Sequence, residues 1–307
     1  MSFVGLLPAQ FLNQQIDVLQ LEYTNMGQYA GDFHHLVNCI FEHDVYFQSI
    51  GRQLDQPGAV LSKAKATIEY LRAFRWELKM LTRMDRIQVC TIENGDYLKS
   101  FNRSLAPKID FGLRAGIDAS RYDFQTENRD PETMLFVGSF RHQPNAEALK
   151  WFVQEIMPQI LLKRPGAKLK IVGAEPPPGH SLPTLGGAVE ILGFVEDIRD
   201  AFRHPAVFIC PILTGSGVRV KLLEAFASGI PVVSTRIGAE GLARVDGEFC
   251  YLADTAEVFA QRVIELFDQN HSEMAQRARH EVENNWDIPT ITTRLVQSYT
   301  KALQEKY

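Results

Sequence analysis

No run of apolar residues in the 307-residue sequence approaches the roughly 18–20 that a membrane-spanning helix requires. The opening "MSFVGLLPAQ" has neither a basic start nor a long apolar segment, so it is a poor signal peptide, and the cytoplasm is the expected compartment. Cysteine is sparse. Cys39, Cys90, Cys210 and Cys250 lie far apart, each in a short apolar stretch, with no CxxC or Cys/His ligand spacing. They read as buried reduced thiols rather than zinc ligands or disulfides. Neither HExxH nor Asp-x-Asp occurs, so no bound metal is expected. A GxxxxGK[ST] phosphate loop is also missing. Excess positive charge is absent too. The net charge of -5 argues against nucleic acid as a partner, because phosphate backbones attract clustered Lys and Arg.

What is present is alternation. In the second half, strand-like runs occur at 133–138, 168–173, 188–193, 206–211, 231–235 and 248–253. Apolar-periodic segments lie between most of them, including 145–160 and 218–228. Continuous Val/Ile/Phe runs joined by helices predict a doubly wound parallel sheet over 130–285. In the first half, "QIDVLQLEY" (15–23), "HLVNCIFEH" (35–43) and "RIQVCTI" (86–92) read as strands. Apolar residues at 61, 64, 68, 71, 74, 78 and 81 predict a long helix over 61–84. The stretch 109–132 lacks periodicity, turns polar and reads as an interdomain linker. The proline-rich loop "GAEPPPGHSLPTLGG" is the one low-complexity patch.

The densest motif is "PILTGSGVRVKLLEAFASGIPVVST" (211–235). A strand ends at Pro211, and a helix is expected to begin near Gly217 or Val218. Its N-terminus then lies beyond the carboxyl end of a buried strand, where open α/β sheets bind ligands. Gly215 and Gly217 leave the backbone open, and the helix N-terminus favours an anion such as phosphate. On a helix, Lys221, Glu224 and Ser228 share a polar face opposite Val218, Leu222 and Ala225. Either Lys221 and Glu224 are an exposed i,i+3 pair, or they serve a nucleotide diphosphate, with the carboxylate on the ribose. "GSGVRV" is not a complete GxGxxG, which weakens a dinucleotide-oxidoreductase reading.

The segments "TMLFVGSFRHQPNAEALKWF", "GFVEDIRDAF", "ICPILTGSGVRVKLLEAFASGIPVVSTRIGAEGL" and "YLADTAEVFA" together resemble the donor-binding half of GT-B glycosyltransferases. They are closest to the retaining group 1 (family 4) enzymes. The resemblance implies two Rossmann-like parallel-sheet domains. Residues 1–129 would be a partial acceptor-side domain with the linker, and 130–285 the nucleotide-sugar donor domain. Residues 286–307, from Trp286, would be a helix crossing back to the first domain. It implies transfer of a sugar from a nucleotide-diphosphate donor to a glycan or lipid-linked acceptor with retention, needing no cofactor or metal.

Residue by residue, Glu224 matches the family's ribose-binding Glu, and Ser216 stands where another Glu is often found. The family's pyrophosphate-binding Arg and Lys fall on Ser139 and Asn145, so Arg219, Lys221 and Arg141 are the candidates to offset phosphate charge. Arg141 also reads as a solvated loop residue. Gly138, Gly215, Ser216, Gly217 and Val218 complete the candidate donor site. Phe194 and Val195, in "GFVEDI", correspond to the nucleobase loop, or else form a plain strand-to-helix turn. "IGAEGL" (237–242) is a candidate to close over the donor. His43, in "FEHDV", resembles the catalytic-side histidine of the acceptor domain, or is an ordinary loop residue.

Members of the family begin with a strand and a glycine-rich loop that this chain's opening does not resemble. The expectation is a short acceptor domain, with a catalytically weak or inactive nucleotide-sugar-binding fragment as the alternative function. Finally, Lys63, Lys65, Arg72, Arg75, Lys79, Arg83 and Arg86 against Glu69, Glu77 and Asp85 leave +4 over 61–86. The helix there is either a domain helix with a basic back or a peripheral contact for an anionic membrane.

Overall fold

The computed structural model describes residues 16–54, 60–175 and 185–307. The opening segment and most of the loop 173–187 lie outside the described residues. The chain divides into two compact units. The first comprises Met1–Ala115, Gly215–Gly217 and Pro289–Tyr307; the second comprises Gly116–Thr214 and Val218–Ile288.

In the first unit, β1 (Val18–Glu22), β2 (Val37–Glu42), β3 (Arg86–Val89) and β4 (Ile109–Phe111) form a parallel sheet in that order. The register lines up Leu21, Ile40, Ile87 and Ile109 in one row across all four strands. Every residue of β2 and β3 is buried, as expected of central strands covered on both faces. Between the strands run α1 (Tyr46–Leu54), α2 (Val60–Leu81) and α3 (Ile92–Phe101). Thr91 starts α3 by accepting from the Asn94 N–H at 3.0 Å. Fully buried Phe47 joins the three helices, with Tyr70, Phe74, Tyr97 and Phe101 rings centred 5.2–6.0 Å away.

The stretch beginning at 109 is not all linker. Its first three residues are β4, paired in register with β3. A strand that short carries no period of its own and is specified by its neighbour. The C-terminal helix Ile288–Lys306 packs on this unit, with Ala302 against buried Val37 and Cys39. Buried Arg86 donates to Glu305 at 2.9 Å and to the Pro107 carbonyl at 3.0 Å, and Lys306 reaches Asp85 at 2.8 Å.

The second unit opens with β5 (Asp130–Val137), α4 (Gln143–Trp151), α5 (Met157–Lys163), β6 (Lys168–Val172) and β7 (Val189–Gly193). It continues with α6 (Ile198–Ala201), β8 (Pro205–Cys210), α7 (Val220–Ala227), β9 (Val232–Ser234) and β10 (Tyr251–Leu252). Two helices, α8 (Ala256–Asp268) and α9 (Ser272–Glu281), complete it. All six strands are parallel, in the order β10-β9-β8-β5-β6-β7. The single helix expected over 145–160 is instead α4 and α5 separated by a five-residue π turn, Phe152–Ile156. Pro158, in the first turn of α5, cannot continue an α ladder, and the wider turn absorbs it.

The chain leaves β5 in one direction to β6 and later returns on its other side at β8. The gap between the carboxyl ends of β5 and β8 is therefore a topological switch point. Arg129 anchors the entry to β5. Its guanidinium donates to the carbonyls of Gln125, Phe202, Pro205 and Ser228 at 2.6–3.0 Å, and burial pushes its pKa down to about 10.

Candidate functional site

The second unit places α7 directly after β8, at the switch point. The helix begins at Val220, later than expected, with Arg219 in extended conformation at the cap. No side chain caps α7, whose Leu222 N–H turns back to the Arg219 carbonyl at 2.8 Å. Arg219 reaches back to the Thr214 carbonyl at 3.4 Å. Val218 precedes it in the same unit.

Lys221 and Glu224 are not an exposed pair. The Lys221 ammonium turns inward, donating to the Val137 carbonyl at 2.8 Å and to Asn145 Oδ1 at 2.7 Å. It also lies 4.9 Å from the centroid of the buried Phe136 ring. Burial, with Arg219 nearby, pushes its pKa down to about 8. Asn145 is held in turn, its amide donating to the Ser139 carbonyl at 2.8 Å. The half-buried Glu224 accepts from the Tyr122 hydroxyl at 2.9 Å. Burial raises the Glu224 carboxyl above the usual range, against the opposing pull of Tyr122 and Lys221.

Gly138 follows β5, its N–H donating to Val172 at 3.0 Å. Asn145 lies 2.9 Å from where a Cβ at Gly138 would stand, and a Cβ at Gly173 would meet the Gly138 carbonyl. Glycine at 173 lets the ends of β5 and β6 approach this closely, and glycine at 138 lets the Asn145 side chain lie over the end of β5. Arg141 is bound to Glu175, through Nε at 3.0 Å and through a second, shorter contact, so its charge is already matched. Phe194 is 77% exposed after β7, whereas Val195 helps line a cavity of about 430 Å³ with Leu135, Leu192 and His204. Asp197 caps α6 by accepting from the Arg199 N–H at 3.0 Å, and Arg199 holds its pKa down to about 2. Residues 237–242 follow β9 as a largely buried turn, with Gly238 N–H donating to Thr235 Oγ1 at 2.9 Å.

The turn Gly215–Gly217 belongs with the first unit. Gly215 and Gly217 have φ of 93° and 83°, which favours glycine. Ser216 does not offer a free hydroxyl: it donates to Asp44 and accepts from the Val45 N–H at 3.2 Å. His43 follows β2 in that unit, with Nε2 2.7 Å from Glu22 Oε2. Arg114 donates to the other Glu22 oxygen at 2.6 Å, and the His43 ring stacks on Tyr23 at 4.1 Å. The imidazole is thus held on two sides, as a residue of defined orientation.

Sequence reasoning missed Tyr122, Glu22, Glu42 and Glu77. Glu42 and Glu77 are buried and share the Thr24 hydroxyl, 2.6 Å from Glu42 and 3.4 Å from Glu77. Glu77 accepts from the N–H groups of Tyr46 and Phe47 at 3.0 and 2.9 Å, capping α1 from α2. Burial and mutual repulsion raise the Glu42 carboxyl, and burial raises that of Glu77. The four cysteines are buried and none is in a disulfide; burial pushes the Cys39 thiol up to about 12 and those of Cys210 and Cys250 upward. Among the described residues no group of three or more His, Cys, Asp or Glu could hold a metal ion, and no helix is long and apolar enough to cross a membrane.

Residues 131–269 match the family described as glycosyl transferases group 1. A protein of Klebsiella pneumoniae, "Uncharacterized 44.6 kDa protein in cps region", is 30% identical over 169 residues, 52% of this chain and 43% of its own length. The chain spans less than half the length of the curated relatives it matches. Sucrose-phosphate synthase from Thermosynechococcus elongatus superposes with a TM-score of 0.74, 16% identity, and coverage of 97% of this chain and 76% of that one. Anabaena Alr3699/HepE in complex with UDP-glucose superposes with a TM-score of 0.66 and 13% identity, covering 93% of this chain and 79% of that one. At such identities the structural likeness speaks for the fold. The chain therefore has the α/β, GT-B-like fold of two parallel-sheet Rossmann-like domains, and its residues 131–269 carry the sequence pattern of the glycosyl transferases group 1.

Proposed function

We propose that this chain is a glycosyltransferase, moving a sugar from a nucleotide-diphosphate donor to a glycan or lipid-linked acceptor with retention of configuration. The observation that carries the reading is the placement of Lys221 and Glu224 on α7 at the switch point, within the segment matching the glycosyl transferases group 1. In this reading the diphosphate lies at the first turn of α7, against Arg219 and Lys221. Gly138 leaves room for its approach, Glu224 accepts from the ribose hydroxyls, and Phe194 and Val195 border the base. UDP-glucose, the ligand of the Anabaena neighbour, exemplifies the donor class.

Transfer breaks the bond between the anomeric carbon and the diphosphate, leaving negative charge on the departing phosphate. Arg219 and Lys221 stabilise that charge, which a bound metal would otherwise have to do. The acceptor oxygen enters on the face the diphosphate leaves, and its proton leaves with the departing phosphate. His43, oriented by Glu22 and Tyr23, is the candidate catalytic residue of the first unit. The chain acts in the cytoplasm, with α2 as a peripheral contact to an anionic membrane.

The test is incubation with UDP-, GDP- and ADP-sugars and with glycan and lipid-linked acceptors, in the presence and absence of chelator. Products are read by mass spectrometry and their anomeric configuration by NMR. A retained configuration and an indifference to chelator are expected. An inverted product overturns retention, and nucleotide binding without any transfer leaves the chain a binding protein.

A further inference from the structure

Tyr122 comes from the stretch between the short turn Ala119–Arg121 and β5, which the sequence presents as featureless. The structure fixes it tightly. Asp118 caps the turn, its side chain accepting from the Ser120 N–H at 3.2 Å. Arg279 of α9 then donates to the carbonyls of Tyr122 at 3.1 Å and Ala227 at 2.6 Å. That guanidinium, paired with Glu283 at 2.6 Å, ties the Tyr122 backbone to the last turn of the helix that carries Glu224. The Tyr122 hydroxyl closes the circuit by donating to Glu224 Oε1 at 2.9 Å.

We propose that Tyr122 is a positioning residue of the nucleotide site, holding one oxygen of Glu224 so that the other accepts the ribose hydroxyls of a nucleoside diphosphate. The proposal rests on the reading of Glu224 as the ribose-binding residue. Among the described residues Tyr122 is the only hydrogen-bond donor to the Glu224 carboxylate. A carboxylate has room for several donors, so the Tyr122 bond leaves Oε2 for a ligand. Ribose hydroxyls donate, and an ionised Glu224 accepts them more strongly than a protonated one.

The groups facing this carboxylate are few. Lys221 on α7 favours the ionised form, although its ammonium is committed to Val137 and Asn145. Arg121 and Arg199 lie near Tyr122, and Arg199 is committed to Asp197. Of the influences that oppose desolvation at Glu224, the Tyr122 hydrogen bond is the largest. Burial and the neighbouring Glu224 raise the Tyr122 hydroxyl, so it remains a protonated donor at physiological pH. Its donation therefore does two things: it sets the carboxylate rotamer and keeps the group charged.

The experiment uses the full chain and the variants Tyr122→Phe, Glu224→Gln and the double variant. UDP, GDP and ADP are titrated calorimetrically from pH 6 to pH 8, and the Glu224 carboxyl is followed by carbon-13 NMR. Phe fills the same volume, so thermal melting should change little. Tyr122→Phe is expected to weaken nucleotide binding about tenfold, more at pH 6 than at pH 8, and to raise the pH at which Glu224 titrates. The double variant should bind no more weakly than Glu224→Gln alone. An unshifted Glu224 titration in Tyr122→Phe, or losses that simply add in the double variant, would overturn the proposal. Glu224→Gln binding as tightly as the wild type would instead overturn the ribose role, and the NMR titration would still report whether Tyr122 holds the carboxyl down.

Discussion

The Lys221 ammonium donates to the side-chain oxygen of Asn145 at 2.7 Å. Position 145 is where the family resemblance expects the pyrophosphate lysine, and two ammonium groups at that separation would repel. With Asn145 as an acceptor, the cation can come from α7, three helices later along the chain, and still stand at the carboxyl end of β5.

Lys221→Ala should therefore weaken UDP, GDP or ADP by about 10–100-fold, the weight of a charged hydrogen bond, and the bare nucleosides much less. Because the Lys221 pKa is pushed down to about 8, the ammonium is charged below that pH and lost above it. Diphosphate affinity should fall as pH rises through 8, and this dependence should vanish in Lys221→Ala. Calorimetry across pH 7–9 measures both. Equal losses for nucleotide and nucleoside would remove Lys221 from the phosphate.

Arg129 should prove structural. Its donors satisfy carbonyls from the 125 loop, from the segment after α6 and from the end of α7. Truncation removes the shared donor from those carbonyls, of which, among the described residues, only Ser228 is seen to keep another, the Gln125 N–H at 3.2 Å, so Arg129→Met should cost about 1–3 kcal/mol. Arg129→Lys should recover only part, since a point-like ammonium cannot reach the same fan of acceptors. Denaturant titration measures the loss.

The Glu42–Thr24–Glu77 cluster predicts a pH dependence of stability. Burial first, then Glu77, raises the Glu42 carboxyl from 4.5 to about 8, so the folded state keeps a proton that the unfolded chain gives up. Its contribution is fully present below the unfolded pKa and is lost as pH rises through 8. Melting temperature should decline over that window in the wild type. Glu42→Gln, which carries no charge to bury, should flatten the decline and melt higher at pH 8. A wild-type melting temperature unchanged between pH 5 and pH 8 would contradict the raised carboxyl.

On α2, Leu61, Ile68 and Leu71 are exposed, and so are Lys63, Lys65, Arg72 and Arg75. Apolar and basic side chains facing solvent together suit an anionic bilayer surface. Sedimentation with vesicles containing anionic lipid should show binding at low salt that weakens at high salt, and Lys63→Glu/Lys65→Glu should reduce it. No binding at low salt ends the idea.

The local pattern of residues is enough to show the alternation of strands and helices, because a strand buried on both faces must be a continuous apolar run and a parallel connection needs a helix. It also placed Lys221 and Glu224 near the start of a helix, since local spacing decides which residues share a turn. Where those side chains point was decided only by the tertiary structure. Lys221 faces Val137 and Asn145, 84 and 76 positions earlier, and Glu224 faces Tyr122, 102 positions earlier. Spacing along one helix carries no information about partners that long-range packing brings to it. The same holds for β4, whose three residues are too few to show a period, and for Ser216, whose hydroxyl is taken by Asp44 from 172 positions away. Local pattern specifies the elements. Partner choice in a buried site depends on which polar groups the fold removes from water together, because each such group must then be satisfied by whatever the packing supplies.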